Sequence, residues 1–483
     1  MRVASLITGL FGLIAVLGFM MLSVPLVDLL AGEPVSWSFL TLSILYVLTG
    51  IAGVEALVRL GGVGEMGFTE AYFVSTVSWL IIPVLAAIPL HMEIGVPFID
   101  AFFESVSGFT GTGLTVLSGL DHLKKSINWW RALMQWSGEL GFVVFAMVMI
   151  PFFWRFGYTL YGVERPVRVM YTLRRTARRI TEVYILVTLM GVVLLYYSGV
   201  SLYDAVIHTM TAVATGGMSN YDANYEAIYR YAPLSIFPTI LVMVLGGMNF
   251  LNLSLLLDFR AREAFRSDEV KYYFAGLASL SLLSVLVFTV NGAGASSIVL
   301  GVFNTVSAMT TTGFNIGVVG GFPVGVKEIL VLAMFIGGMS FSTAGGVKVY
   351  RLVVLLRKLG TYGASTLLRE RVSLKVSMDG KNLDEDEVSG VLLVVVIHAF
   401  IVLLAASLIK VAMPHVDFLD ALFESTSAAS CVGLSTGITS ASSPLLVKLA
   451  LIAGMYLGRI EYLPLIVAAG YLAHRDVLRT FRG

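Results

Sequence analysis

Four short segments of this chain share one arrangement of hydroxyl, small and glycine residues, and that arrangement could bind a cation. The segments are 104–115, 208–219, 304–315 and 424–435. Each has a glycine, with a strongly polar residue nine positions before it and hydroxyl residues eight and six positions before it. Rings of backbone carbonyls can replace the hydration shell of a permeating cation, and glycine turns its backbone readily because a positive φ costs it little. The pattern therefore predicts a cation filter built from backbone.

The candidate filter residues surround the shared glycines. They are Thr110, Gly111, Thr112 and Gly113 in the first copy, Thr215, Gly216 and Gly217 in the second, Thr311, Thr312 and Gly313 in the third, and Cys431, Val432 and Gly433 in the fourth. Small residues at helical spacing also serve helix packing, but four copies that match at six offsets favour a shared role in a pore. The single cysteine of the chain thus falls within the filter.

Each copy follows a short apolar stretch that is typical of a helix too short to cross a bilayer. We expect four re-entrant pore helices whose C-terminal ends direct partial negative charge toward the filter. Asp100, Asp204 and Asp420 stand at the starts of three of them, with Leu300 in the third copy, and are predicted as N-caps. His208 occupies the column that holds Glu104, Asn304 and Glu424, and it is expected to hydrogen-bond filter backbone.

Composition predicts a polytopic membrane protein. The chain is 57% hydrophobic and 13% charged, with a mean hydropathy of +0.87, whereas soluble domains have roughly 45–50% apolar and about 25% charged residues. The net charge of +1 gives no support for nucleic-acid binding. Apolar stretches long enough to span a bilayer lie at 4–30, 38–60, 70–92, 129–154, 180–200, 231–257, 272–291, 326–358, 388–412 and 444–470. We read the first as a retained span rather than a signal peptide.

The order of these stretches predicts an all-α protein of about ten spans, in which four span, pore-helix and span repeats follow a leading pair. The predicted units are 1–62 for the leading pair, then 63–165, 166–265, 266–365 and 366–483 for repeats 1 to 4. Most of the 32 Lys and Arg residues lie on one side if both termini are cytosolic. Each repeat then has an even number of crossings, so the four copies are parallel around an axis along the membrane normal. They would enclose a central path.

With these features the sequence resembles the Trk/Ktr/HKT superfamily of potassium transporters, in particular the membrane subunit of Trk-type uptake systems. The resemblance covers nearly the whole chain and includes LGGMNF at 245–250, GGMSFSTAGGVK at 337–348 and GRIE at 458–461. It implies that residues 337–346 break a span into a gating loop beneath the filter. The gating residues would be Gly337, Gly338, Phe341, Gly345, Gly346, Lys348 and Arg459, with an anchor at the cytosolic membrane surface as the alternative for Lys348. An arginine inside a membrane is costly unless it faces a pore or carbonyls, so Arg459 is expected to contact this loop and repel cations there.

Two residues depart from the family pattern that the resemblance implies. Phe341 stands where the gating loop usually carries a small residue, and Glu139 replaces a typical glycine. An acid within the membrane is a functional candidate by default, and a structural hydrogen bond between helices is the alternative for Glu139. The fourth filter segment is more similar to the Ktr branch, whereas the leading pair is more similar to Trk.

Other motifs bear on partners and cofactors. A basic stretch lies just inside the membrane and is typical of an orientation signal and lipid anchor; it comprises Arg165, Arg168, Arg174, Arg175, Arg178 and Arg179. The family resemblance implies a second role for it in docking a cytosolic, nucleotide-binding regulatory ring, and it also implies a homodimer. The G-x-G-x-x-G match at 62–67 lies between spans without βαβ context, so it is rejected as a nucleotide site. No cofactor is expected in this chain besides potassium in the pore.

Between Arg371 and Val388, residues 371–376 alternate between polar and apolar and are followed by Met-Asp-Gly-Lys, which predicts a small cytosolic hairpin with an Asp-Gly turn. The favoured function is potassium uptake across the cell membrane through the carbonyl filter, gated by the loop at 337–346. A sodium- or proton-coupled potassium symporter and a poorly selective channel on the same fold stay open as alternatives. A membrane enzyme is disfavoured, because the sequence has no paired nucleophile and base and no metal motif.

Overall fold

The structure is a computed structural model that describes residues 3–60, 68–140, 173–367, 375–462 and 466. Helices dominate the described chain. They are α1 (Val3–Met21), α2 (Ser23–Ala31), α3 (Trp37–Arg59), α4 (Phe68–Ile94), α5 (Phe98–Phe109), α6 (Lys125–Glu139), α7 (Leu173–Tyr197), α8 (Leu202–Val213), α9 (Tyr225–Tyr231), α10 (Ile236–Gly246), α11 (Phe250–Leu257), α12 (Ala261–Ala264), α13 (Asp268–Val290), α14 (Ser297–Met309), α15 (Val324–Ile336), α16 (Val349–Leu367), α17 (Glu385–Ala412), α18 (Phe418–Ala429) and α19 (Leu445–Arg459).

Two short strands form the predicted hairpin. Strands β1 (Ser377–Met378) and β2 (Lys381–Asn382) pair antiparallel, with Ser377 opposite Asn382. The turn residues Asp379 and Gly380 both have a positive φ, of 48° and 78°, as a two-residue hairpin turn requires. Single 3₁₀ turns lie at Leu120–His122, Pro233–Ser235, Gly294–Ser296 and Val319–Gly321.

Six helices of the described chain are long and apolar enough to cross a membrane. They are Leu6–Ala31, Trp37–Arg59, Thr76–Ile94, Ala177–Tyr197, Asp268–Val290 and Glu385–Ala412, and they confirm six of the predicted spans. The predicted span 231–257 is instead bent by 118° between Pro233–Gly246 and Phe250–Leu257. The chain is therefore a multi-pass membrane protein.

The second helix of each repeat ends well before it could cross a bilayer. These helices are α6, α10, α15 and α19, and they have 15, 11, 13 and 15 residues. The sequence predicted a break only at 337–346, but 231–257 is broken too. For the predicted spans 129–154 and 444–470, the residues beyond 140 and most of those beyond 462 lie outside the described chain.

Helix packing closes the four repeats into a ring. Within each repeat the first helix packs against the pore helix, in the pairs α4 with α5, α7 with α8, α13 with α14, and α17 with α18. Each second helix packs against the pore helix of the next repeat, in the pairs α6 with α8, α10 with α14, α15 with α18, and α19 with α5. The last pair joins repeat 4 to repeat 1. This cyclic order is what parallel repeats around one axis require.

The leading pair packs on the outside of repeat 1. Helix α1 contacts α3 and α4, and α2 contacts α6. Gly50 of α3 lies so close to the backbone of α1 at Phe11 and Ala15 that an added Cβ would overlap it. Small residues allow such close approach of helices in a membrane, which explains the glycine at this crossing.

Candidate ion pathway

The four pore helices end in loops with one shared backbone conformation. The residue two positions before the shared glycine lies in the left-handed region in every copy, with φ of 68° at Gly111, 49° at Thr215, 57° at Thr311 and 53° at Cys431. The shared glycines also have a positive φ, between 67° and 97°. A residue with a side chain at the position of the shared glycine would be strained, so the backbone geometry requires glycine there.

The loops contact one another in a closed circle. A Cβ added at Gly113 would overlap the carbonyl oxygen of Gly216, and one at Gly217 would overlap that of Thr312. The same relation joins Gly313 to Val432, and Gly433 to Thr112. Each shared glycine therefore packs on the carbonyl that precedes the shared glycine of the next repeat. The structure brings together all four predicted filter segments, including the last and the first.

Polar residues at one column of the pore helices hold the chain that leaves the filter. Glu104 accepts a hydrogen bond from Thr115 Oγ1 at 2.8 Å, and Asn304 both donates to and accepts from the Ile316 backbone. Glu424 is fully buried and accepts hydrogen bonds from four residues, Ser435, Thr436, Ile438 and Thr439, the shortest from Ser435 Oγ at 2.5 Å. The column thus serves as an internal brace for each loop.

His208 does not donate to filter backbone as the sequence predicted. Its Nε2 lies 2.9 Å from Ser219 Oγ, and its Nδ1 lies 2.9 Å from the Asp204 carbonyl of the same helix. The imidazole of His208 is longer than the amide of Asn304, and it reaches the Ser219 hydroxyl two positions after the shared glycine. His208 therefore also holds the chain that leaves the filter. Among the described residues no group of three His, Cys, Asp or Glu side chains could hold a metal ion.

The aspartates at the starts of the pore helices are not N-caps, contrary to the prediction. The residues at the N-cap positions are Pro97, Ser201 and Asp417, three positions earlier, because each helix begins sooner than the sequence suggested. Two of the aspartates instead form ion pairs with lysines of the adjacent repeat. Lys448 Nζ lies 2.5 Å from Asp100, and Lys327 Nζ lies 2.8 Å from Asp420.

These ion pairs connect repeats 4 to 1 and 3 to 4. Asp204 has no such lysine; it accepts hydrogen bonds from Ser201, Asn220, Tyr221 and Tyr231. Burial raises the pKa of the Asp204 carboxyl, but the hydrogen bonds from Asn220 and Ser201 outweigh it, so the pKa lies below its ordinary value. The carboxylate is therefore held in its charged form by repeat 2 alone.

Helix α6 carries a polar stripe that follows the filter from one end to the other. Arg131, Gln135 and Glu139 are spaced four residues apart and so share one face of the helix. Arg131 donates to Glu104 at 2.7 Å and to the Ser219 carbonyl at 2.6 Å. Gln135 donates to the Gly216 carbonyl at 2.7 Å and accepts from Met218 N at 3.0 Å. Repeat 1 thus fixes the filter loop of repeat 2.

The loop at 337–346 lies directly beneath the filter. Gly345 N donates to Thr311 Oγ1 at 2.7 Å, and a Cβ at Gly345 would overlap the Ser430 carbonyl. Thr343 Oγ1 donates to the carbonyls of Val213 and Gly246 at 3.0 and 2.8 Å. The loop therefore contacts repeats 2, 3 and 4 at once.

The ends of this loop turn through backbone conformations that favour glycine. Gly337 and Gly346 have φ of 74° and 76°. A Cβ at Gly337 would overlap the Gly345 carbonyl, and a Cβ at Gly346 would overlap Gly337. Phe341 also has a positive φ, of 58°. Its side chain is buried and packs edge-on against Phe250 at 6.2 Å between ring centres. The large residue is accommodated by a pocket in repeat 2 rather than in the space below the filter.

A carboxylate at the start of α13 binds the loop and the first turn of the helix that follows it. Glu269 Oε1 accepts hydrogen bonds from Ser340 N at 2.5 Å and from Tyr350 N at 3.2 Å. Its neighbour Asp268 pairs with Arg357 at 2.8 Å and donates its own backbone N–H to Asp379 of the hairpin turn at 2.7 Å. The β1–β2 hairpin is thereby connected to the loop through two consecutive residues.

The remaining predicted gating residues surround a cavity below the filter. Ala344, Gly345, Gly346, Lys348, Cys431, Gly458, Arg459 and Glu461 line it. Lys348 Nζ donates to the Ala344 carbonyl within the loop. Arg459 Nη1 lies 2.6 Å from Glu139 Oε2, its Nη2 donates to the Gly138 carbonyl at 2.8 Å, and its guanidinium lies 4.9 Å from the centre of the Trp79 ring. Arg459 thus shares the cavity with the loop while it binds repeat 1.

The sequence profile of the family described as TrkH, cation transport protein, matches residues 54–291 and 290–478. This chain belongs to that family. A relative described as an uncharacterised cation transporter of Methanocaldococcus jannaschii is 32% identical over 397 residues, covering 81% of this chain and 80% of the relative. The Trk system potassium uptake protein TrkI of Halomonas elongata is 30% identical over 423 residues and covers 82% of each chain.

Other relatives of this TrkH-family chain extend the comparison. The Trk system potassium uptake protein TrkH of Escherichia coli K12 is 27% identical over 418 residues, or 84% of this chain and 86% of that protein. The crystal structure of the potassium transporter TrkH from Vibrio parahaemolyticus superposes with a TM-score of 0.85 over 97% of this chain and 98% of that one, at 23% identity. That likeness confirms the fold.

Sequence reasoning missed Gln135, Arg131, Glu269 and Thr343. A signal for the first two was present, because polar residues four apart in a predicted span mark one face that must find partners. No such signal existed for Glu269, whose partners are backbone N–H groups far along the chain. Of the basic stretch, Arg178 and Arg179 are described and pair with Glu182, whereas Arg165 and Arg168 lie outside the described residues, as does the 62–67 motif.

Proposed function

We propose that this protein takes up potassium across the cell membrane through the ring of filter loops. The observation that carries the proposal is the closed circle in which each shared glycine packs on a carbonyl of the next repeat. Its relatives named as Trk potassium uptake proteins support potassium as the substrate. A ring of this kind presents one backbone carbonyl from each of four repeats, and such oxygens can replace water around a dehydrated cation.

The electrostatics of the filter favour cations without a ring of acidic side chains. Four pore helices end within two residues of the filter, and each C-terminus carries partial negative charge. Three acids of the pore helices, Glu104, Asp100 and Asp420, are paired with Arg131, Lys448 and Lys327. The other two, Asp204 and Glu424, accept hydrogen bonds from their own repeats. Selectivity in this mechanism comes from backbone oxygens, and the acids hold the loops in place.

Gating in this proposal belongs to residues 337–346 and Arg459. The loop closes the path below repeats 2, 3 and 4, and the positively charged guanidinium of Arg459 lies beneath repeats 4 and 1. Potassium that has crossed the filter enters the cavity beneath it only when the loop withdraws. The glycines at both ends of the loop supply the backbone freedom for that movement.

Topology and partners complete the proposal. Both termini are cytosolic, because the basic residues concentrate on that side. The chain acts as a homodimer and docks a cytosolic nucleotide-binding ring on its inner face, where the β1–β2 hairpin is linked to the gating loop. The unit boundaries at 62, 165, 265 and 365 and the absence of a cofactor in this chain stay part of the proposal.

Rubidium uptake into potassium-loaded proteoliposomes tests the proposal. We expect uptake that potassium competes away and sodium competes away less, because rubidium is close to potassium in size. Protein that supports no rubidium flux, with or without cytosolic partners and nucleotides, would contradict it. A sodium- or proton-coupled symporter is the second candidate, favoured by the buried acid Glu139; imposed sodium and proton gradients that leave the rate unchanged would exclude it.

The filter itself is tested by Gly113→Ser, Gly217→Ser, Gly313→Ser and Gly433→Ser. Each added side chain overlaps a carbonyl of the next repeat, so we expect each variant to lower the potassium-to-sodium permeability ratio. Gly32→Ser is a matched control, because Gly32 has a φ of 69° and open space where its Cβ would lie. Unaltered selectivity in all four filter variants would rule out this filter.

A further inference from the structure

We propose that Glu139 is a positioning residue that neutralises Arg459 below the filter and so sets the rate at which cations leave it. The inference rests on the proposed cation path and goes beyond it, because it assigns the barrier to a pair of residues from two repeats. Glu139 is 1% exposed and its Oε2 lies 2.6 Å from Arg459 Nη1. The two residues come from the ends of α6 and α19, which are 320 residues apart in sequence.

The pair occupies equivalent positions in adjacent repeats. Gly138, Gly246 and Gly458 each lie against the carbonyl of the last residue of their own pore helix, so these three glycines correspond. The residue that follows is Glu139 in repeat 1, Gly247 in repeat 2 and Arg459 in repeat 4. Repeat 4 precedes repeat 1 around the ring, so the acid and the base are neighbours there. At the position where repeat 2 has Gly247, repeats 1 and 4 therefore carry the opposite charges of Glu139 and Arg459.

The Glu139 carboxylate lies directly beneath the first filter loop. A Cβ at Gly111 would overlap Glu139 Oε1. In the other copies this left-handed position carries the side chains of Thr215, Thr311 and Cys431. The carboxylate therefore fills the space that a hydroxyl or thiol side chain fills in the other repeats. It lies beside Gly111, which directly precedes Thr112, the residue whose carbonyl contacts Gly433.

Charge in the cavity explains why the acid matters for conduction. Lys348 and Arg459 both line the cavity that receives a cation from the filter, together with Glu461. Glu461 pairs with Arg351 at 2.5 Å, whereas Glu139 pairs with Arg459. A cation that enters this space meets Arg459 as part of a neutral pair. Without the carboxylate it meets a full positive charge in the cavity below the filter, where the low dielectric strengthens repulsion.

Rubidium uptake by E139Q, R459Q and the double variant E139Q/R459Q tests the inference. We expect E139Q to lower the maximal uptake rate by on the order of tenfold, because the unpaired guanidinium repels cations. The double variant should regain at least the wild-type rate. Glu55→Gln is the matched control, since Glu55 forms an exposed ion pair with Arg59, and its rate should stay at the wild-type level.

Cys431 reports the local potential independently of flux. It lines the same cavity and is the single cysteine of the chain, so labelling has no background from other thiols. Because Cys431 is only 4% exposed, the reagents are applied during uptake, when the loop is proposed to withdraw. We expect the ratio of modification rates by cationic and anionic methanethiosulfonates to fall in E139Q and to rise above that value in the double variant. A merely structural role for Glu139 would not change this ratio in opposite directions.

The outcomes separate this inference from the proposed function. Wild-type protein without rubidium flux would overturn both. Wild-type flux with an unchanged E139Q rate, or a folded double variant as slow as E139Q, would overturn the inference alone. If E139Q does not elute as a folded species, the charge-swapped variant E139R/R459E carries the test: uptake at the wild-type order supports the pair, and a folded swap without uptake contradicts it.

Discussion

Three residues of the filter loops accept a left-handed backbone although they are not glycine. Thr215, Thr311 and Cys431 have φ between 49° and 57°, a conformation that costs an L residue roughly 1–2 kcal/mol. Two of the three side chains offset that cost through polar contacts with the second helix or the gating loop, whereas Thr215 Oγ1 has no hydrogen-bond partner among the described residues and the Thr215 methyl group lies near Gly246. Thr311 Oγ1 accepts from Gly345 N, and Cys431 Sγ lies 3.7 Å from the Met455 carbonyl. The strain therefore connects the filter to the elements below it.

The buried pair of Arg131 and Glu104 is expected to stabilise repeat 1 strongly. The side chains are 2% and 0% exposed and 2.7 Å apart. Arg131→Met leaves Glu104 as an unpaired buried charge, so we expect it to lower the free energy of unfolding by about 3–5 kcal/mol. Equilibrium unfolding in mixed micelles of dodecyl sulfate measures the change.

An exposed pair supplies the control for Arg131. Arg230 is 72% exposed and lies 2.7 Å from Glu226, so Arg230→Met should cost only about 0–1 kcal/mol. Equal costs for the two variants would show that burial does not govern the Arg131 pair. A further variant, Arg131→Met with Glu104→Met, should recover much of the loss because it removes both charges.

The residue types of the filter could be read from the sequence only in part. The shared glycines were predicted because glycine is the residue that a positive φ selects. The left-handed position two residues before the shared glycine was hidden, since it carries Gly111 in one copy and Thr or Cys in the others. The arrangement of the four copies around one axis was predicted, but the contact of each shared glycine with a carbonyl of the next repeat, such as Gly433 with Thr112, was hidden because it depends on packing that periodicity does not encode.

Helix breaks below the filter are the main feature at the scale of elements. Hydropathy predicted one continuous span at 231–257, yet the helix ends at Gly246 and restarts at Phe250. The intervening residues are Gly247, Met248 and Asn249, and the Asn249 side chain caps the second helix by accepting a hydrogen bond from Leu251 N. Glycine and asparagine are poor helix formers, but the hydropathy of the segment does not reveal the break. Its cause is tertiary: the carbonyls of Gly246 and Gly247 accept hydrogen bonds from the gating loop at Thr343 and Met339.

Glu269 is expected to keep the gating loop closed. Glu269→Ala removes the acceptor of two backbone N–H groups, at Ser340 and Tyr350, and a buried N–H left without a partner costs about 1–3 kcal/mol. We therefore expect the closed position of the loop to lose stability and basal rubidium uptake to rise.

The same assay includes Glu263→Ala as its control. Glu263 is exposed and pairs with Arg260 at 2.5 Å, close to Glu269 in sequence but away from the loop contacts described above. Its uptake should equal that of the wild type. A folded Glu269→Ala protein with unchanged or lower uptake would contradict a closing role for this carboxylate.

At the scale of the whole molecule the repeats are joined head to tail by ion pairs of unequal burial. Lys448 and Asp100 join repeat 4 to repeat 1, with side chains 7% and 5% exposed. Lys327 and Asp420 join repeat 3 to repeat 4, with side chains 10% and 25% exposed. The bond that closes the ring is the more deeply buried one.

This difference predicts an order of stabilities. Asp100→Asn leaves Lys448 as a buried, unpaired cation, and we expect a loss of about 3–5 kcal/mol in unfolding free energy. Asp420→Asn should cost clearly less, because water reaches that carboxylate. Unfolding titrations of both variants in one detergent mixture decide the point, and a larger loss for Asp420→Asn would contradict the assigned order. Adding Lys448→Met to Asp100→Asn should restore stability.

Ring closure between the last repeat and the first has a consequence for biosynthesis. Chains emerge from the ribosome with the N-terminal part first, yet Gly433 packs on Thr112 and Lys448 binds Asp100 across 348 residues. The filter loop of repeat 1 therefore enters the membrane long before its neighbour on one side exists. Until synthesis of repeat 4 is finished, that loop is supported by α6 and repeat 2 alone, so truncated chains should be prone to quality-control degradation.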